Sequence, residues 1–426
     1  MLIAMMLVAL FVLLIIGVPV GIALAGSSML WVLVSGSVPD FVVIHRMVNG
    51  VDSFPLLAIP FFILAGNLMN SAGITNRIFA FATASIGWLQ GGLGHVNIIA
   101  SVLFAGMSGA AVADAGGLGT IEIKAMRDAG YDDDFAVAVT AASSTIGPII
   151  PPSLPMVIYG VMASASVGQL FSAGFIPGLL MAVALMIMVA WYAKKRNYPR
   201  DKSFSIRLLG ITLKRAFLSL LTPIIIVGGI LTGAFTPTEA AISACVYALI
   251  LGVVVYRTLN WKRLIHVSMD TIETSAIILF IVAAASIFAW ILTSNRVTEH
   301  FASILMNMTQ NPILILLMLN LVLFVVGCFM ETVAAITILV PVLLPIAVGV
   351  GVDPVHFGVI MVLNLMIGLL TPPVGMVLYV LSRVAGISFE RCSAATLPFL
   401  FPLVVVLALI TFIPTFSMWL PTLIYR

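Results

Sequence analysis

Long runs of apolar residues, interrupted by glycine, proline and short polar clusters, dominate this chain of 426 residues. The runs lack a strict alternation of polar and apolar positions, which disfavours the strands of a membrane barrel. Because lipid offers the backbone no hydrogen-bond partners, such runs predict membrane-spanning helices. The candidate spans are 2–16, 18–34, 54–69, 135–162, 171–191, 217–234, 238–256, 272–292, 355–381 and 397–416.

Composition supports an all-α integral membrane protein. Hydrophobic residues make up 62% of the chain and charged residues only 8%, whereas soluble domains carry about 25% charged residues. The three cysteines, Cys245, Cys328 and Cys392, lie in apolar surroundings without metal-ligand spacing and are expected to be packed thiols. No basic face with interleaved aromatic residues indicates nucleic-acid binding, and the bilayer is the expected surrounding.

Basic residues cluster between the two halves of the chain. The segment 194–215 holds eight of the nineteen lysine and arginine residues. The positive-inside rule therefore places this linker in the cytoplasm. A helix pair over 217–256 would leave the cytoplasm and return, which also places Arg257, Lys262 and Arg263 on the cytoplasmic side.

Two proline-rich interruptions fall inside apolar runs, at SSTIGPIIPPS and at MIGLLTPPVGM. Proline removes a backbone donor and clashes with the preceding helical turn, so each interruption predicts a broken helix. Gly147 and Gly368 lie 221 residues apart, and the Pro–Pro pairs 151–152 and 372–373 keep the same offset. That offset also relates, without a gap, 106 to 327, 130 to 351, 132 to 353 and 177 to 398.

The repeat divides the chain into a first half, 1–193, a basic linker, 194–215, and a second half, 216–426. The first half is expected to contain scaffold spans 1–69, an arm 70–94, a hairpin 95–122, a broken helix 135–162 and a last span 171–193. The second is expected to contain scaffold spans 217–292, an arm 294–311, a hairpin 312–350, a broken helix 355–381 and a last span 397–416. An odd number of crossings per half predicts inverted orientations, and paired broken helices in such repeats are typical of secondary transporters.

Each hairpin is predicted to re-enter the membrane without crossing it. In the first, residues 96–107 lead into the small-residue stretch GMSGAAVADAGG. A helix of about 10–12 residues rises about 15–18 Å, half of a hydrocarbon core that is about 30 Å thick. We therefore expect arms that reach the midplane and turn back, from the cytoplasm in the first half and from the outside in the second.

A helix broken at the midplane exposes carbonyl groups that favour cations and N–H groups that favour anions. Because unwound carbonyls coordinate Na⁺ in such transporters, we predict two sodium sites where hairpin tips meet the breaks. The expected ligands are Ser108, Gly109, Asp114, Gly147 and Pro148 in the first site, and Glu331, Thr332, Gly368 and Thr371 in the second. A substrate carboxylate is expected near Ser153, Pro151, Pro152, Pro372 and Pro373.

Several charged residues have structural alternatives. Intramembrane carboxylates such as Asp114 and Glu331 are typically functional, but either can also cap a turn or a helix. Glu239 follows a proline that starts a helix, so a helix-start charge is the favoured interpretation. The acidic turn 132–134 is interpreted as solvated and without function.

Three cations, Lys124, Arg127 and Arg383, are interpreted as interfacial side chains that reach toward water, although a contact with an anionic substrate stays open. The sequence contains no G-x-x-x-x-G-K-[ST] loop, which excludes ATP hydrolysis of that kind. No nucleophile–base constellation indicates an enzyme, and no transition-metal site is expected.

The stretches AGMSGAAVADAGGLGTI, SSTIGPIIPPS, TPTEAA and GLLTPPVGM resemble the large, DctM-like membrane subunit of tripartite ATP-independent periplasmic (TRAP) transporters. The resemblance covers nearly the whole chain and is nearest to sialic-acid members. It implies an elevator-type ion-transporter fold and Na⁺-coupled import of sialic acid or a C4-dicarboxylate across the bacterial inner membrane. The implied partners are a small four-helix membrane subunit and a periplasmic substrate-binding protein.

The resemblance also carries sodium-site positions to Ser108, Asp114, Gly147, Glu331, Thr332, Gly368 and Thr371. Ala110 departs from the family's pattern, in which this position is a serine, and it cannot supply a hydroxyl ligand. The main alternative is a stand-alone sodium/dicarboxylate symporter of similar fold. An intramembrane hydrolase using Asp114 and Glu331 as a dyad is disfavoured because the sequence lacks a recognisable protease pattern. A passive membrane scaffold is disfavoured because it would not need two matched helix breaks.

Overall fold

The computed structural model describes residues 2–198, 204–297, 299–301, 303, 309 and 311–425, with side chains for all of these except 106–108. The described elements are helical. The first half contains α1 (Leu2–Ile15), α2 (Val20–Ser35), α3 (Phe41–Val51), a 3₁₀ turn (Phe54–Leu57), α4 (Ala58–Ser71), α5 (Ile74–Ile86), α6 (Gly92–Ser108), α7 (Ala111–Gly116), α8 (Leu118–Asp128), α9 (Asp133–Ser144), α10 (Leu154–Met162) and α11 (Val167–Lys195).

The second half contains α12 (Ile206–Leu231), α13 (Pro237–Ile250) with a π-helical extension (Leu251–Val255), α14 (Trp261–Ser294), α15 (Pro312–Phe329), α16 (Thr332–Gly349), α17 (Pro354–Gly368), α18 (Met376–Ala385), α19 (Phe389–Phe412) and α20 (Thr415–Ile424). Among the described residues, eight helices are long and apolar enough to cross a membrane. With 14 and 16 residues, α1 and α2 are shorter than a full span.

The two broken helices are the pairs α9–α10 and α17–α18, and they run in opposite directions. Near the start of α9, Arg391 Nε lies 2.6 Å from Asp134 Oδ1, which joins that end to the start of α19. Near the end of α10, the Tyr159 hydroxyl donates to the Pro354 carbonyl at 2.6 Å, which joins that end to the start of α17. The first broken helix therefore ends where the second begins, and the inverted all-α fold is confirmed.

The hairpin arms are longer than the sequence argument assumed. With 17 residues in α6 and 18 each in α15 and α16, a single arm is about 26–27 Å long. The expectation of arms of about 10–12 residues is wrong, and length alone does not identify these hairpins. The hairpins are identified by their tight tips, at 109–110 and 330–331. Both tips lie in the protein interior, next to the helix breaks.

The basic linker is also shorter than expected. Helix α11 continues to Lys195 and α12 begins at Ile206. Five of the eight basic residues assigned to 194–215 therefore lie on helices, namely Lys194, Lys195, Arg207, Lys214 and Arg215. Lysine and arginine favour a helix C-terminus, which explains why α11 extends through Lys194 and Lys195. Linker residues 199–203 lie outside the described residues, as do parts of the predicted arm 294–311.

The acidic turn 132–134 is not simply solvated, because each aspartate contacts a different arginine. Asp132 contacts Arg196 at 2.6 Å, Asp133 contacts Arg127 at 2.5 Å, and Asp134 contacts Arg391. Partial burial opposes ionisation of Asp132, yet hydrogen bonds from Arg196 and Tyr198 hold its pKa below the ordinary value. The turn thus ties the first hairpin, α9, α11 and α19 together at the basic side of the molecule.

Helix capping fixes the start of α13, at Pro237. The Glu239 carboxylate accepts from the backbone N–H of Thr236 at 2.8 Å, and the Thr236 hydroxyl accepts from the Glu239 N–H at 3.3 Å. This is a capping box. The interpretation of Glu239 as a helix-start charge is confirmed, and burial of all three cysteines as free thiols is confirmed as well.

Candidate functional site

The tip of the first hairpin turns at Gly109, whose φ of 59° is a left-handed conformation that favours glycine. A Cβ atom at this position would lie 2.8 Å from the Pro152 carbonyl oxygen and 3.2 Å from the Leu154 nitrogen. The tip therefore packs directly on the non-helical segment between α9 and α10. This contact lies a few residues beyond Gly147 and Pro148, which were the expected partners of Gly109.

Asp114 reaches the other end of the same break. It lies in the first turn of α7, is 2% exposed, and its Oδ2 would be 2.4 Å from a Cβ atom added at Gly147. Only glycine leaves room for that carboxylate against the backbone of the broken helix. The structure thus brings Gly109, Asp114, Gly147 and Pro148 to one break, and Ser108 ends α6 beside them with its side chain outside the described part.

The tip of the second hairpin is capped by Glu331. Its carboxylate accepts from the backbone N–H groups of Val333, at 2.8 Å, and Ala334, at 3.2 Å. The capping alternative for Glu331 is therefore confirmed. At the 221-residue offset Glu331 corresponds to Ala110 and Asp114 to Ala335, so the two hairpins carry their carboxylates one helical turn apart.

Glycine meets glycine at the second break. A Cβ atom added at Gly368 would lie 2.5 Å from the Gly327 carbonyl carbon and 2.6 Å from its Cα. The Val374 N–H donates to the Cys328 carbonyl at 3.3 Å, which adds a backbone link between the hairpin and the interrupted segment. Gly368 therefore faces Gly327 and not, as expected, the residues Glu331 and Thr332.

Two hydroxyls border this second break. Thr371 donates to the Ile367 carbonyl at 2.9 Å, within its own broken helix. Thr332 is only 3% exposed, and its hydroxyl makes no hydrogen bond to a described residue. A buried hydroxyl is rarely left without a partner in a native protein. The Thr332 hydroxyl oxygen is therefore a candidate ligand for a bound cation.

A cavity of about 580 Å³ lies between the two hairpin tips, the first break and helices α4 and α14. Its lining includes Gly109, Pro148, Pro152, Glu331 and Thr332. In the lining formed by described residues, Glu331 is the one charged side chain. The cavity brings elements of both halves together, as expected for a site between inverted repeats.

The predicted substrate residues are distributed unevenly around this cavity. Pro152 lines it, and Pro151 is buried next to it in the same break. Ser153 is fully buried: its hydroxyl donates to the Pro148 carbonyl and accepts from the Met156 N–H, so it caps α10. Pro372 and Pro373 are exposed and lie outside the cavity lining. Both Pro–Pro peptide bonds are cis.

The three candidate cations lie away from the cavity lining. Arg127 pairs with Asp133 and donates to the Ala385 carbonyl. Arg383 stacks over the ring of Tyr379 at 4.8 Å, and Lys124 is exposed. Their placement agrees with a structural or interfacial role.

Sequence reasoning missed the polar side chains that the scaffold contributes. Asn67 and Asn70 on α4 and Thr274 on α14 line the cavity. Asn67 inside the apolar run 54–69, and Asn70 directly after it, were a sequence indication, because polar side chains within a membrane span usually face the protein interior or a cavity.

Comparisons with known proteins agree with this architecture. The family model for the DctM component of tripartite ATP-independent periplasmic transporters matches residues 7–416. The sialic acid TRAP transporter large permease protein SiaM of Vibrio cholerae is 51% identical over 96% of this chain and 95% of that protein. The sialic acid TRAP transporter permease protein SiaT of Haemophilus influenzae is 44% identical over 96% of this chain, which spans 66% of that longer protein.

Among solved structures, the YdaH transporter of Alcanivorax borkumensis, described as having an unusual topology, superposes with a TM-score of 0.67. The match covers 89% of this chain and 88% of that one at 15% sequence identity. At this identity the similarity supports the fold alone.

Proposed function

Since this chain belongs to the family of DctM components of tripartite ATP-independent periplasmic transporters, we propose that it is the large permease subunit of a Na⁺-coupled importer. It is a multi-pass membrane transporter subunit and not an enzyme. The proposed cargo is an organic acid, with sialic acid, the substrate in the names of both relatives above, as the first candidate. A periplasmic binding protein would deliver it, a small four-helix subunit would pack beside the scaffold, and the complex would lie in a bacterial inner membrane.

The observation that carries sodium coupling is the charge of the cavity. Its described lining contains Glu331 and no lysine, arginine or histidine. An anionic substrate placed there meets an acidic group without a basic side chain to balance it. An ionised Glu331 about 4 Å from a substrate carboxylate would repel it by about 4 kcal/mol at an effective dielectric constant near 20. Bound cations would remove that penalty, and the linkage makes binding of Na⁺ and of a carboxylate mutually favourable.

The proposed sodium sites lie at the two contacts between hairpin and break. Asp114 and the carbonyl-rich break around Gly147 supply oxygen atoms in the first, together with Ser108, Gly109 and Pro148. In the second, the proposed ligands are Glu331 and the otherwise unsatisfied hydroxyl of Thr332, which line the cavity, and Thr371 in the break. Gly368, which packs against Gly327, would contribute its backbone carbonyl. Occupation of either site would hold its tip against its break and shape the adjoining cavity.

An elevator motion is the proposed transport step. The moving body would comprise α6–α11 and α15–α20, and the scaffold would comprise α1–α5 and α12–α14. Within the moving body the Asp134–Arg391 pair joins the start of α9 to α19, and the Asn364 amide donates to the Asn320 carbonyl at 2.9 Å. The first of these links joins the two halves, the second joins α15 to α17 within the second half, and both support movement as one unit.

Reconstitution tests the proposal. Proteoliposomes containing this chain with its small subunit should accumulate sialic acid only when the binding protein and an inward sodium gradient are both present. Replacing sodium by potassium at equal ionic strength should abolish accumulation. Sodium-independent uptake would refute the coupling, and uptake by the chain alone would favour the stand-alone symporter.

A further inference from the structure

Two scaffold helices present matching stripes to the central cavity. In the cavity lining, α4 contributes four residues at positions i, i+3, i+4 and i+7, and α14 contributes four residues with the same spacing. They are Ile63, Gly66, Asn67 and Asn70 on α4, and Thr274, Ile277, Ile278 and Ile281 on α14. One face of each helix therefore forms the wall opposite the hairpin tips.

The wall is polar at one end and apolar at the other. Asn67 Nδ2 donates to Thr271 Oγ1 at 3.1 Å, which places the polar end of α4 level with the threonines of α14. The isoleucines Ile277, Ile278 and Ile281 follow further along α14. A bound molecule thus meets amides and a hydroxyl at one end of the wall and hydrocarbon at the other.

The asparagines keep hydrogen-bonding capacity for a ligand. An amide side chain offers one acceptor oxygen and two N–H donors. Among described contacts, Asn67 uses its nitrogen toward Thr271, and Asn70 uses its oxygen to accept from Thr75 at 3.2 Å. The Asn67 oxygen and the Asn70 NH₂ group remain, and both residues line the cavity.

This chemistry suits hydroxyl groups better than a second carboxylate. A hydroxyl both donates and accepts, as the paired amide oxygen and NH₂ group require. A second carboxylate would add negative charge to a lining whose charged member is already Glu331. The volume of about 580 Å³ also lies within the range of about 300–1,000 Å³ that accommodates ligands much larger than a four-carbon diacid.

We propose that Asn67, Asn70 and Thr274 form a stationary subsite that binds the hydroxyl groups of a polyhydroxylated monocarboxylate, a sugar acid. This subsite assignment rests on the proposed function, since it takes the carboxylate to lie at the hairpin tips. Because the three residues belong to the scaffold, they select substrate without taking part in sodium binding.

Equilibrium binding to the full chain in complex with its small subunit tests the assignment. The probes are sialic acid and its analogue with two hydroxyl-bearing side-chain carbons removed, each titrated calorimetrically with and without sodium. Asn67→Leu and Asn70→Leu should each weaken binding of sialic acid by roughly 3- to 10-fold, as expected for loss of one hydrogen bond. The truncated analogue should bind the wild type more weakly than sialic acid does. Its affinity for the Asn67 and Asn70 variants should equal its affinity for the wild type.

Asn49→Leu is the matched control, because Asn49 lies on α3, outside the cavity lining, and contacts His45 at 3.1 Å. It should leave both affinities unchanged. Equal losses for both probes in the Asn67 and Asn70 variants, or no loss for sialic acid, would overturn the subsite. If sialic acid bound the wild type equally well with and without sodium, that result would count against the proposed coupling. The comparison of the two probes would still decide the subsite.

Discussion

Replacing Gly368 by alanine places a methyl group against the backbone of the opposing hairpin. The added Cβ would lie 2.5 Å from the Gly327 carbonyl carbon, 2.6 Å from its Cα and 2.8 Å from its oxygen. Carbon atoms in contact normally lie about 3.5–4.0 Å apart, so the tip must withdraw by about 1 Å. No side-chain rotation can relieve the clash, because all three neighbours are backbone atoms.

The expected magnitude follows from the cost of overpacking. An added methyl in a packed interior costs about 1–3 kcal/mol. If the sodium-bound arrangement needs the tip against the break, that energy opposes binding and weakens sodium affinity by about 5- to 150-fold. The loss should appear as a higher sodium concentration for half-maximal uptake in the reconstituted system.

Gly228→Ala is the control, because a Cβ atom there meets nothing within 4 Å and the residue lies inside α12. Alanine favours a helix over glycine, so this variant should transport normally and unfold at an equal or slightly higher temperature. Wild-type sodium dependence in well-folded Gly368→Ala would refute the reasoning that tip contact and sodium binding are coupled.

Three further predictions address other parts of the molecule. Asp114→Ala should reduce uptake and raise the sodium requirement of reconstituted vesicles, and unchanged sodium activation would remove this carboxylate from the mechanism. Sodium should slow alkylation of the Cys328 thiol at least several-fold, because the backbone carbonyl of Cys328 accepts from Val374 in the second break. Cys392 is buried away from the tips, and sodium should leave its alkylation rate unchanged. Equal protection of both thiols would indicate that sodium tightens the whole protein and not the second break. Arg391→Ala breaks a half-exposed ion pair with Asp134 and should lower stability by no more than about 1 kcal/mol, measured by thermal unfolding, with a larger loss indicating that the pair is more than a surface contact.

The helix breaks were predictable from sequence because proline and glycine act locally. Pro151, Pro152 and Gly147 interrupt a helix wherever they are placed, and the repeated offset showed that two such sites are related. The capping role of Glu331 was open from sequence for the same reason, since a carboxylate just before a helix can accept its first N–H groups.

Long-range partners were not predictable in this way. Arg391 lies 257 positions from Asp134, and nothing in either local sequence indicates their contact. The contact between Gly327 and Gly368 depends equally on how two helices approach. The prediction of short hairpin arms was wrong because helices of 17 or 18 residues also occur in hairpins whose tips are buried inside the protein.

Calorimetric titration of sodium into the purified complex tests the central claim most directly, with potassium titrated at the same ionic strength as the reference. We predict saturable binding of sodium, and not of potassium, at two sites, one weakened by Gly147→Ala and the other by Gly368→Ala. Absence of sodium-specific heat in the wild type, or full binding in both variants, would contradict the claim that hairpin tips and broken helices jointly hold the coupling ions.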